Sequence, residues 1–243
     1  MLAIMIIGAA GQISGQDFLS QQKNYSRVRA AIAEKEECVK DRLQRNGLTV
    51  DSVHIMIVAY KAEKQLEMYA KRKTDTAYRP IAVYDICASS GKLGPKRKAG
   101  DRQVPEGFYR IDRFNPSSNF HLSLGIDYPN LSDRKKSAFP KLGGDIFIHG
   151  ACVTIGCLPM TDDKIKEIYL SAVYARNNGQ HAIPVYIFPF RMDDDTFDKY
   201  KKEYNRNPAL IDFWTNLKAG YELFQKERKP LQVSTDKDGN YLF

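Results

Sequence analysis

The sequence predicts an α+β protein, a β-rich core with flanking helices at both ends. Two observations carry this. Apolar positions recur at helical spacing near both ends of the chain, from Tyr25 to Leu43 and from Leu210 to Phe224. Between them the period shortens, and clusters of turn formers separate short β-prone runs. A chain of 243 residues with 43% hydrophobic and 27% charged residues can bury a real core, which argues against wholesale disorder.

The elements follow in order. Residues 1–15 read as a truncated secretory signal segment. Leu2 to Ala10 is apolar, and small residues suited to cleavage follow at Gly11 and Ser14-Gly15. Residues 16–50 form an N-terminal helical segment. Tyr25, Val28, Ile32, Val39 and Leu43 share one face, and Asn46-Gly47 is its stop. Residues 51–192 form the body. His54 to Tyr60 and Gln65 to Ala70 read as a hairpin around Lys61-Ala62-Glu63-Lys64. Strands follow at Arg79 to Ala88, Val104 to Asp112, Asn119 to Ile126 and Gly143 to Ile148. Thr161 N-caps a helix with Asp162 and Asp163 in its first turn, and Asn177-Asn178-Gly179 ends it. Ala182 to Pro189 is a strand that Pro184 and Pro189 push toward an edge or a strand end. Residues 193–243 form a C-terminal helical extension and tail. Asn207-Pro208 opens a helix whose aromatic stripe reads as core, and Asp238-Gly239 turns a small hairpin.

The formal net charge of +8 permits an anionic partner: a wall polymer, a lipid surface or nucleic acid. No nucleic-acid motif accompanies it, so nucleic acid is set aside as a partner. The expectation is that Lys92, Lys96, Arg97, Lys98 and Arg102, clustered in one strand connection, attract an anionic polymer. That connection lacks the G-K-[ST] ending of a phosphate loop. No stretch is long enough to span a bilayer. Four cysteines in a chain this long do not make a disulfide framework, and Cys152 reads as packing. The sequence leaves the oligomeric state open.

The chemistry concentrates in Phe147-Ile148-His149-Gly150-Ala151-Cys152-Val153-Thr154-Ile155-Gly156-Cys157. A thiol attacks as the thiolate and needs a neighbour to take its proton. His149 is placed to be that neighbour once the intervening loop folds back. Gly150 lets the backbone turn there and orients His149, with a nearby carbonyl fixing the tautomer. Gly156 brings the chain close to whatever Cys157 attacks, so its amide or that of Cys157 is an oxyanion candidate. The other readings are a buried structural cysteine, a Cys152–Cys157 redox pair, and a metal site on His149, Cys152 and Cys157. The last lacks a fourth ligand, so no metal and no cofactor are expected.

Three blocks carry a family resemblance: Gly94-Pro95-Lys96 through Gly100-Asp101-Arg102-Gln103-Val104-Pro105-Glu106-Gly107-Phe108-Tyr109; Phe114-Asn115-Pro116-Ser117-Ser118 with Ser123 and Tyr128-Pro129-Asn130; and Ile148-His149-Gly150 with Thr154-Ile155-Gly156-Cys157 and Met160-Thr161-Asp162. Jointly they resemble the L,D-transpeptidase (YkuD) catalytic domain, in particular its YafK-like branch, over roughly residues 53–190. The resemblance implies an L,D-transpeptidase-like catalytic core with Cys157 as nucleophile and His149 as proton donor and acceptor. It also implies peptidoglycan stem peptides as substrate, with a wall-attached protein as a further partner, and a place in the cell envelope, periplasmic or secreted. Tyr128 and Thr154 are its candidate substrate contacts. Ile155 stands where most of the family has a second histidine, Leu158 where an arginine is usual, and the loop from His149 to Cys157 is shorter. The same resemblance accommodates an amidase or L,D-peptidase that releases wall-linked protein, and a wall-binding module without catalysis. Residues 115–136 are expected to cover Cys157.

Overall fold

The structure, a computed structural model, describes residues 17–243; the signal-like segment 1–15 lies outside the described residues. Its elements are α1 (Phe18–Lys23), α2 (Ser26–Arg45), β1 (Val53–Tyr60), β2 (Gln65–Arg72), β3 (Arg79–Asp85), β4 (Gly107–Asn115), β5 (Ser123–Ile126), α3 (Leu131–Lys136), β6 (Phe147–His149), β7 (Leu158–Pro159), α4 (Asp162–Asn177), β8 (Ile183–Phe188), α5 (Asp194–Glu203), α6 (Pro208–Glu227), β9 (Ser234–Thr235) and β10 (Tyr241–Leu242). The first eight strands form one sheet in the order β3-β2-β1-β8-β4-β5-β6-β7, and β9 pairs with β10.

β1 shows how the layers arise. Its side chains alternate, and both faces are buried. Val53, Ile55, Ile57 and Ala59 join the core shared with α2 and α4. Met56, Val58 and Tyr60 join an aromatic core with Phe213, Trp214, Leu217 and Phe224 of α6. A strand covered on both faces reads as a continuous apolar run, and His54 to Tyr60 is nearly that. Full burial of each large α6 side chain is worth about 1.5–3 kcal/mol. The caps match the sequence: Thr161 accepts from the Lys164 amide at 3.2 Å and Asn207 from the Leu210 amide at 3.2 Å.

Ala182 to Pro189 is corrected from an edge to the middle of the sheet. β8 runs parallel to β1 and antiparallel to β4. Pro184 is tolerated because pairing with β1 begins only at Val185, so its missing amide breaks no bond on that side. The sequence reading marks no separate helix at α1, α3 or α5, although α1 and α5 lie inside the segments 16–50 and 193–243 read as helical. α1 and α3 are too short to show a period, and α3 is held by a capping box between Asn130 and Asp133. α5 buries only Phe197, so it shows no apolar stripe.

The sheet curls until its two edges approach. Just past β3, the Cys87 amide donates to the Pro159 carbonyl of β7 at 3.0 Å. A disulfide joins Cys87 to Cys152, with Cα atoms 5.4 Å apart. This corrects the reading of Cys152 as packing. It also removes the Cys152–Cys157 redox pair and the three-ligand metal site, because Cys152 is already bonded.

Candidate active site

The site lies where the curled edges meet. In the parallel pairing of β6 with β7, Ile148 faces Leu158 and His149 faces Pro159. Cys157 therefore sits at the start of β7, beside the strand that carries His149. The Phe147 amide donates to Cys157 Sγ at 3.4 Å, and the thiol donates to the Asp145 carbonyl at 3.6 Å. Cys157 also lines a cavity of about 250 Å³. Its other walls come from the β1–β2 turn and from the chain between Ile86 and Leu93.

His149 is 2% exposed. Its Nδ1 lies 2.5 Å from the Gly150 carbonyl. A carbonyl only accepts, so Nδ1 carries the proton and Nε2 keeps the lone pair, which is the form a base needs. Phe120 lies against the ring, centroid to centroid 4.8 Å. Across the β5–β6 register His149 faces Ser123, whose hydroxyl is buried without a partner.

Burial pushes the Cys157 thiol above its ordinary range, with the Asp145 carboxylate adding to the rise and the Phe147 amide and Lys96 opposing it. Burial also pushes the His149 imidazole down, opposed by its bond to Gly150. Both shifts favour neutral forms. These are the thiol of Cys157 and the neutral imidazole of His149.

Hydrogen bonds hold the loop between them at both ends. Gly150 donates to the Phe120 carbonyl at 3.0 Å. A Cβ there would lie 2.5 Å from Asp162 Oδ1 and 3.0 Å from the Phe120 carbonyl, so the close approach requires glycine. Asp162, at the start of α4, accepts from the Ala151 amide at 2.8 Å. Thr154 Oγ1 accepts from the amides of Gly156 (3.1 Å) and Cys157 (2.8 Å) and donates to the Cys157 carbonyl (2.9 Å). Gly156 has φ +139°, a conformation that favours glycine.

These bonds correct two expectations. The Gly156 and Cys157 amides, the two oxyanion candidates, are both engaged by Thr154. Thr154 is thereby a turn organiser and not a free substrate contact. Tyr128 is corrected too: it is buried, and its hydroxyl donates within 3.3–3.4 Å of the carbonyls of Lys96 and Leu142. Of the segment 115–136, Phe120 and Ser123 lie against His149, and no residue of it lines the cavity at Cys157. Its α3 packs instead on the tail, where the Ser132 hydroxyl donates to the Gly239 carbonyl at 2.6 Å. The basic loop is partly structural. Lys96 is buried on Asp101 at 2.6 Å, and Arg97 pairs with Asp133 at 2.9 Å.

One buried ion pair supports the cavity. Lys61 Nζ donates to the carbonyls of Gly94 (2.8 Å) and Val104 (2.9 Å) and to Glu106 Oε1 (2.8 Å). Glu106 also accepts from the Gly94 amide (2.7 Å) and from Trp214 Nε1 (2.9 Å). The network ties both ends of the basic loop to the β1–β2 turn and to α6. Sequence reasoning missed it because its members lie in separate segments. It also missed Asp162 as a loop anchor, although Asp162 stands inside the third motif block.

Comparison with known proteins gives the chain its relatives. The model of the L,D-transpeptidase catalytic domain, YkuD, matches residues 54–187. Over 190 residues the chain is 38% identical to the Escherichia coli (strain K12) protein named "Putative L,D-transpeptidase YafK", covering 77% of this chain and 73% of that one. Among solved structures, the helical cell shape determining protein Pgp2 from Campylobacter jejuni aligns with a TM-score of 0.46 and 17% identity, over 81% of this chain and 80% of that chain. Bdellovibrio bacteriovorus Bd1075 aligns with a TM-score of 0.42 and 22% identity, over 71% of this chain and 63% of that chain.

Proposed function

We propose that this chain, which belongs to the L,D-transpeptidase (YkuD) catalytic-domain family, is a cysteine-dependent acyltransferase of the cell envelope acting on peptidoglycan stem peptides. The observation that carries the reading is the state of the cysteines around the site. Cys152 is in a disulfide, while Cys157 is a free thiol that lines a cavity beside the strand of His149. A disulfide also fits an oxidising compartment.

The chemistry follows from the neutral pair. Bound substrate presents a peptide carbonyl between an L- and a D-centre. His149 Nε2 takes the thiol proton as Sγ attacks, and a tetrahedral intermediate forms. The C–N bond breaks, the D-amino acid leaves with the proton from His149, and a thioester remains on Cys157. An acceptor amine then loses its proton to His149, attacks the thioester and forms a new amide. Sγ recovers its proton as it leaves.

Hydrolysis is the second reading, with water in the acceptor's place. It is favoured by the exposure of the loop beside Cys157, where Ile155 is 78% and Val153 56% exposed. Such a loop gives water a path to the thioester. Incubating the protein with tetrapeptide muropeptides, with and without a D-amino acid acceptor, separates the readings by mass spectrometry. Amide products in proportion to acceptor support transfer. Cleaved stems or freed wall-attached protein, with no amine incorporated at any acceptor concentration, make it a hydrolase. No turnover together with an inert Cys157 leaves a wall-binding module.

A further inference from the structure

The cavity beside Cys157 has a charge asymmetry that the reaction scheme does not use. The charged residues lining it are Lys61, Lys64 and Lys92, and no acidic residue lines it. Lys61 is saturated by its three internal acceptors. Lys64 and Lys92 are exposed, and among the described residues neither ammonium has a hydrogen-bond or ion-pair partner. Their backbones, by contrast, are held. The Ile86 amide donates to the Lys64 carbonyl at 2.7 Å, and the Lys92 amide donates to Gln103 Oε1 at 2.8 Å. Two cations are thus presented from fixed anchors on two different wall segments. Ser90 lines the same cavity, and its hydroxyl is buried and unpartnered. A buried hydroxyl without an acceptor is costly unless something else supplies one. Leu158 beside the nucleophile brings no charge of its own.

We propose that Ser90, Lys64 and Lys92 form a carboxylate-binding subsite in the cavity beside Cys157, which holds an anionic group of the acyl donor while its carbonyl is attacked. The proposal rests on Cys157 being the nucleophile. A χ1 rotation brings the Ser90 hydroxyl to the cavity surface, where a carboxylate oxygen accepts from it, and the two ammonium groups flank its charge. Two donor carboxylates have this chemistry: the one at the C-terminus of the stem peptide, and one carried on the side chain of a diamino diacid residue.

The test compares alkylation of the native protein by iodoacetate and by iodoacetamide, reagents that differ in carrying a carboxylate or a neutral amide. Exposed Cys38 is the internal reference. The iodoacetate-to-iodoacetamide rate ratio should be higher at Cys157 than at Cys38. Lys64→Gln and Lys92→Gln should each lower it by about 3-fold, the scale of one exposed charge contact. Ser90→Ala should lower it further, and about 0.5 M salt should compress the lysine effect. Ratios at Cys38 should not move. A Cys157 ratio equal to that of Cys38, or unchanged in all three variants, overturns the subsite while leaving the nucleophile intact. Labelling of Cys38 with Cys157 inert to both reagents overturns the nucleophile and the subsite together. Donor peptides amidated at the terminal or at the side-chain carboxylate identify the source: the KM should rise for one of them in the wild type and not in Lys64→Gln/Lys92→Gln. A KM indifferent to both amidations overturns the proposal.

Discussion

Removing the Cys87–Cys152 bridge by Cys87→Ser with Cys152→Ser should destabilise the protein and loosen the site in one step. The bridged residues are 65 apart in sequence. Closing a loop of that length in the unfolded chain corresponds to about 4 kcal/mol at 25 °C in the chain-entropy model. For a chain of this size each kcal/mol moves the melting temperature by about 2–4 °C. The double variant should therefore melt roughly 8–16 °C below the wild type. Wild type treated with a dithiol reductant should melt with the variant. The functional consequence comes from where the bridge sits. It ties the loop bearing Cys157 to the start of the wall formed by residues 88–93, so alkylation of Cys157 should lose its dependence on reagent charge when the bridge is cut. Thiol titration of the unfolded protein supplies the independent check, with Cys38 and Cys157 reacting before reduction and Cys87 and Cys152 only after it. Four reactive thiols in the unreduced protein, or a melting point that reductant does not move, would refute the reasoning.

His149→Ala should slow acylation of Cys157 by about 10²–10⁴-fold, read as thioester accumulation by mass spectrometry. Because burial holds the His149 pKa below the ordinary imidazole value, acylation should stay flat down through that value and fall only below it. The same sign applies to stability. The neutral ring's contribution is present above the ordinary imidazole value and is lost as pH falls through the depressed one. Thr154→Val removes the acceptor of two amides and should cost about 1–3 kcal/mol in chemical denaturation, with slower alkylation of Cys157. Gly150→Ala should cost about 1–3 kcal/mol by overpacking against Asp162 and the Phe120 carbonyl, seen as a lower denaturation midpoint. Lys61→Met leaves Glu106 buried without its cation and should cost about 3–5 kcal/mol, and adding Glu106→Gln should recover part of it in a double-mutant cycle.

What the sequence determined by itself is local. The caps at Thr161 and Asn207 need only neighbours a few residues away, so they were legible. So were the continuous apolar run of β1 and the turn that places His149, Gly150, Gly156 and Cys157 together. The family blocks also lie mostly within single segments. What only the tertiary structure decided is long-range. The central position of β8 depends on partners at Ile57 to Tyr60 and Gly107 to Ile111, and no pattern inside Ala182 to Pro189 encodes them. The disulfide depends on a curl of the sheet that brings Cys87 to Cys152. Lys96 looks like a surface charge until the fold buries it, and Arg97 looks like one until Asp133 of α3 comes to pair with it. Ser90 and Lys92 read as a plain basic loop because the other wall of their cavity, Lys64 and Cys157, comes from elsewhere in the chain. Hydrogen bonds and periodicity over a few residues leave a mark in sequence. Burial and charge pairing between distant segments leave none until the chain has folded and removed the water between them.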